Sequence, residues 1–125
     1  MIKNFVLKMD LYGFDVMVSV DESDKVLVEK LMSHGNTSED CHELLNMPTT
    51  TRGRCVMLIT NHTVIRLKIL PDKYELMGVV AHEVFHATTF IMDKIGMKLK
   101  INVSDEAYAY MIGFLTKSIY KKLKL

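Results

Sequence analysis

His82-Glu83-Val84-Phe85-His86 sits near the middle of a stretch that reads as one long helix, and its reading decides how the rest of the chain is understood. Residues four apart share a face of an α-helix, so both imidazoles can address one metal ion. Glu83 projects about 100° further round the helix, close enough to hold a water beside that ion. Two neutral nitrogen ligands, an open coordination position and a carboxylate base are what a zinc-dependent hydrolase needs. The plainer reading is a helix with two incidental histidines, His82 partly buried and His86 at the surface.

The helix has legible ends. Pro71-Asp72-Lys73-Tyr74-Glu75 predicts a start, with Asp72 as N-cap and Glu75 three residues on as a capping box. Gly96 stands where a glycine would end it after Ile95, so the helix is expected over 73–95. Val79, Val80, Ala81, Val84, Phe85 and Ala87 around the motif are uncharged, as a buried metal helix requires.

A second helix is predicted from Ser104 as N-cap, with Asp105 and Glu106 in its first turn. From His86 to Glu106 is 106 − 86 = 20 positions, room for the first helix to end, turn at Gly96 and return antiparallel. Glu106 is then the expected third metal ligand. Asp105 competes for that role, and an acidic first turn is also explained by the helix dipole alone. Glu106, Tyr110, Gly113 and Lys117 share one face, while Tyr108, Ile112, Leu115, Ile119 and Leu123 form an apolar stripe. Gly113, lacking a side chain, is expected to let the two helices approach closely.

His82-Glu83-x-x-His86 followed 20 positions on by Glu106 resembles the zincin metallopeptidases, and within them the gluzincin pattern, in which a downstream glutamate completes the site. Glu106-Ala107-Tyr108-Ala109-Tyr110 is similar to the glutamate-bearing helix of small bacterial and phage zinc-peptidase domains, and the likeness covers roughly 72–120. It implies a sheet above the active helix, with one strand of the 56–68 hairpin holding a peptide in extended form. It also implies zinc on His82, His86 and Glu106, with Glu83 as general base. Tyr110, one turn after Glu106, is a candidate donor to the oxyanion; a tyrosine merely packing beside the site explains it as well.

Composition fits one globular domain over 1–125, with 49% hydrophobic and 25% charged residues. A net charge of +1 without a basic block gives no sign of a nucleic-acid partner. Lysines interrupt Met1 to Lys8, so no signal peptide is read there, no segment is long enough for a membrane span, and the cytoplasm is the expected compartment. Cys41 and Cys55 are too few for a disulfide framework. A second metal site from His34, Cys41 and His42 is conceivable, although their spacing fits no zinc finger and surface residues explain them; His62 reads as a turn residue.

The front half predicts strands at Phe5–Leu7 and Val16–Val20, then a helix from Asp21 as N-cap to Ser33, with a short helix over Ser38–Asn46. Val56–Thr60 and Thr63–Lys68 read as a hairpin closed by Asn61-His62, preceded by a polar connection over Thr49–Arg54. The expected fold is α+β: a small antiparallel or mixed sheet packed on the HExxH helix and a C-terminal glutamate-bearing helix. The expected function is a zinc metallopeptidase, an endopeptidase acting on a protein or peptide substrate. The alternative is a catalytically idle zincin-like domain, a zinc-stabilised binding or regulatory module.

Overall fold

The computed structural model describes all of residues 1–125. Four strands, β1 (Lys3–Leu7), β2 (Val16–Val20), β3 (Gly53–Met57) and β4 (Thr63–Leu67), form one mixed sheet in the order β1-β2-β4-β3. The two outer pairs are antiparallel, while β2 and β4 run parallel with Val16 opposite Thr63. Every residue of β2 and β4 is buried, as central strands covered on both faces should be.

Helix α1 (Asp24–Met32) covers one face, and helices α2 (Lys73–Lys94) and α3 (Asp105–Leu123) cover the other. Strand alternation divides the core accordingly. Met17 and Val64 join Leu27, Leu31 and Leu44 on the α1 side. Val18, Ile65 and Leu67 join Val80, Val84, Ile91 and Leu115 on the other. The architecture is α+β, as read from the sequence, with helices on both faces of the sheet.

Several boundaries differ from the sequence reading for identifiable reasons. The N-cap of α1 is Ser23, whose hydroxyl accepts from Val26 N at 3.2 Å. Asp21 instead takes a left-handed conformation (φ 57°) and accepts from Ile69 N at 3.1 Å, tying the end of β2 to the end of β4. The expected helix over 38–46 contracts to a single 3₁₀ turn, His42–Leu44, preceded by a turn in which Thr37 and Asp40 bond each other reciprocally. Strand β3 begins three residues earlier than expected and absorbs Gly53 and Arg54 from the polar connection. It ends at Met57 because Leu58 dives into the α1-side core, and the turn closes through Leu58 N to His62 O at 2.8 Å with Asn61 left-handed.

Asp72 caps α2 as expected, accepting from Tyr74 N at 2.8 Å. Glu75 does not close a capping box; it pairs with Arg52 at 2.9 Å. Gly96, at φ 77°, ends the helix with a Met97 N to Met92 O bond of 2.9 Å. Helix α3 returns along α2, pinned at its two ends by Tyr108 Oη to Met97 O (2.6 Å) and Tyr120 Oη to Met77 O (3.1 Å). Ser104 occupies the N-cap position, but its hydroxyl serves the preceding loop, accepting from Lys100 N at 2.9 Å. Gly113 does not mediate helix contact: a Cβ built there meets nothing within 4 Å. No helix is long and apolar enough to cross a membrane.

Candidate metal centre

His82 and His86 converge. Their Nε2 atoms lie 3.2 Å apart and their ring centroids 4.9 Å apart, on the outer side of α2 beside β3. Two imidazoles sharing a tetrahedral zinc at about 2.0–2.1 Å would set their nitrogens about 3.3 Å apart. The two rings are within hydrogen-bonding distance, one Nε2 donating and the other accepting. Phe90, one turn on, lies near-parallel to His86, with ring centroids 6.3 Å apart and 23° between planes.

Glu83 lies beneath them, only 5% exposed. Its Oε1 is 3.8 Å from His82 Nε2, and its Oε2 is buried with no hydrogen-bond partner. Burial pushes its carboxyl above the usual range, while positive charge on His82, His86 and Arg54 opposes the shift. A carboxylate held this way accepts a proton readily. The unpaired oxygen also carries a desolvation cost that a purely structural glutamate would not incur.

Strand β3 shapes the approach. A Cβ on Gly53 would stand 2.8 Å from Val79 Cγ1 and 3.1 Å from Glu83 Cγ, so the glycine is what lets β3 lie against this turn of α2. Cys55 follows on the same face of the strand. Its thiol is pushed far up by burial and by the Glu83 carboxylate, so it stays neutral and is not poised as a thiolate ligand. A cavity of about 430 Å³ opens between Thr50, Arg52, Gly53 and the Glu75–Glu83 side of α2. Another of about 420 Å³ flanks the far end of β3, with Val56, Leu58, Phe90 and Asp93 in its wall. The outer edge of β3 has no strand neighbour.

Glu106 is not brought to this site. It is exposed in the first turn of α3, and no three side chains of His, Cys, Asp or Glu are grouped where one ion would reach them. The physical reason lies in which sides of α2 are used. Tyr120 of α3 reaches the carbonyl of Met77, and Met77 is nine residues from His86, about 180° around the helix. Val79, which meets β3, is about 20° from His86. Helix α3 therefore packs across α2 from the imidazoles, and its Glu106–Tyr110–Gly113–Lys117 face is turned to solvent. Asp105, half-buried in the same turn, is on α3 too. Tyr110 is 76% exposed and lines an apolar cavity of about 440 Å³ with Leu11, Tyr12, Met111 and Phe114, so it does not stand over the His82–His86 pair.

Gly53, Cys55 and Phe90 are site residues that the sequence reading missed. A glycine opening a β-branched and apolar run is a sign of close backbone approach, and Phe90 follows His86 at the helical interval of four. Comparison with protein-family models, with curated proteins and with solved structures finds no match to this chain.

Proposed function

We propose that this chain is a zinc-dependent peptidase in which His82 and His86 hold the ion and Glu83 is the general base. One observation carries the reading: two Nε2 atoms 3.2 Å apart stand above a buried carboxylate whose second oxygen has no partner. The donor set fits zinc in kind, two imidazoles with a carboxylate left free beside them. Zinc, when bound, supplies the Lewis acidity that makes water nucleophilic at neutral pH and polarises the carbonyl under attack. Glu83 takes the proton released as water oxygen bonds to the carbonyl carbon. It then delivers that proton to the amine nitrogen as the carbon–nitrogen bond breaks. The open edge of β3 suits an extended peptide added as a further strand, with the two flanking cavities receiving side chains. A sheet edge beside a helix bearing HExxH supports the resemblance to zincins drawn from the sequence.

A second reading rests on the position of Glu106 across α2. With two protein donors in place rather than three, the chain would be an idle module that uses zinc to bind a partner. Zinc content and turnover separate the two. The parent is expected to lose one equivalent of zinc on His82→Ala/His86→Ala and to cleave members of a diverse peptide library. Undiminished zinc in the double variant sinks the site. Zinc lost on cue, but no cleavage of any library member, favours the binding module.

A further inference from the structure

We propose a second metal site, for a divalent transition cation such as zinc, at His34 and His62 on the α1 side of the sheet. The two rings stand edge to face with centroids 5.8 Å apart, beside a cavity of about 140 Å³ that also touches Asp15 and Lys8. Two imidazoles on one tetrahedral ion have centroids about 5 Å apart, so these rings would close by about 0.8 Å to share one.

The hydrogen bonds around the rings assign both tautomers. Asn36 Nδ2 donates to Leu31 O at 3.1 Å, which leaves Asn36 Oδ1 as the acceptor for the Thr60 hydroxyl at 2.7 Å. With its one proton committed, Thr60 Oγ1 accepts from His62 Nδ1 at 2.6 Å. His62 therefore carries its proton on Nδ1 and a free lone pair on Nε2. His34 Nδ1 is 2.7 Å from the Lys30 carbonyl, which can only accept, so His34 has the same tautomer. An imidazole whose Nδ1–H is held by an oxygen acceptor, with Nε2 left bare, is the usual arrangement of a metal-binding histidine. Both rings of this pair have it.

No third donor is in reach of the two rings as the chain is folded, and Asp15, which lines the same cavity, is the carboxylate that would join on binding. It precedes β2 as His62 precedes β4, and Met17 and Val64 set the side of the sheet on which both residues fall. Asp15 accepts from Met9 N through Oδ1 at 3.3 Å and is paired through Oδ2 with Lys8 at 3.0 Å, an exposed ion pair worth at most about 1 kcal/mol that the ion would replace. Two imidazoles are thus the preformed part of the site, Asp15 joins on binding, and water completes the shell. The site does not depend on the HExxH reading and asks nothing of peptidase activity.

The test uses the full chain with His82→Ala/His86→Ala, titrated with zinc by calorimetry. One equivalent should remain, and adding His34→Ala or His62→Ala should remove it while far-UV circular dichroism stays unchanged. Zinc should shift the Nε2 ¹⁵N resonances of His34 and His62 and leave their Nδ1 protons in place. Thr60→Val, which removes the anchor but no ligand, should weaken binding about 10–100-fold, and Thr60→Ser should restore it. No zinc bound in the His82→Ala/His86→Ala background overturns the site, as does binding indifferent to His34→Ala. If the parent binds a single equivalent that is lost with His34 and His62 but not with His82 and His86, this site stands and the α2 reading falls.

Discussion

The molecule holds two histidine pairs on opposite sides of one sheet, and they are prepared in opposite ways. His82 and His86 come together through the pitch of a single helix. Their Nε2 atoms already meet, a buried carboxylate lies below them, and the only hydrogen-bond partner of either ring is the other. His34 and His62 come together only because the chain folds. Their Nδ1 atoms are anchored by Lys30 and Thr60, and no buried carboxylate lies against them. On the proposed reading the first pair serves reactivity, with an unsatisfied oxygen held close by, and the second serves holding, with its outer hydrogen bonds satisfied. Anchored tautomers raise affinity for an ion, whereas an orphaned carboxylate is useful only where a proton must move.

The largest effect that would test this contrast is at Glu83. Glu83→Gln keeps shape but cannot accept the proton, so cleavage of any substrate found should fall at least about 10²-fold. Zinc bound by His82 and His86 should persist; its loss would mean that Glu83 is itself a ligand. Next is Thr60→Val, expected to lower zinc affinity about 10–100-fold at the His34–His62 pair alone. Calorimetry showing equal losses at both pairs would erase the distinction between them.

Gly53→Ala probes the support of the α2 pair. The added methyl would meet Val79 Cγ1 at 2.8 Å and Glu83 Cγ at 3.1 Å, so those side chains or the strand must shift. Chemical denaturation should show a loss of about 1–3 kcal/mol, with turnover reduced further than stability alone explains. Unchanged stability and turnover would mean that the close approach of β3 does not position Glu83.

The smallest effect concerns the layer that carries His34. The Arg66 guanidinium, 2.6 Å from Asp24, holds that carboxyl below its usual range, helped by the Asn46 amide and opposed by partial burial. A depressed folded-state value means that the stabilisation is present above the unfolded pKa of about 3.9 and is lost as pH falls through the folded value. Asp24→Asn should therefore cost about 1 kcal/mol at neutral pH, with the half-exposed carboxylate limiting the size. The difference should vanish in strong acid. A constant difference across the acid limb would assign the loss to packing instead of charge.

Legibility in the sequence followed the range of the interactions. The Asp72 cap, the Gly96 stop and the inward row of α3, Tyr108, Leu115, Ile119 and Leu123, were all readable, because each depends on residues within a turn or on helical periodicity. Glu106 was misplaced for the complementary reason. Its distance along the chain allowed a return to His86, but the side of α2 on which α3 packs is decided by where apolar surface remains after the sheet is covered. The same limit applied at His62. It does lie in the turn before β4, yet its partner His34 is 62 − 34 = 28 positions away, across a parallel strand pairing that no hairpin signal announces.

What the sequence determined by itself is the α2 pair: residues at i and i+4 on a capped helix must face the same way, whatever the helix packs against. Tertiary structure alone decided what each pair is given to work with. It buried Glu83 against Gly53, turned Glu106 to solvent, and joined Asn36 through Thr60 to the ring of His62. Those outcomes depend on which surfaces pack together, and packing is a property of the whole chain that local spacing does not encode.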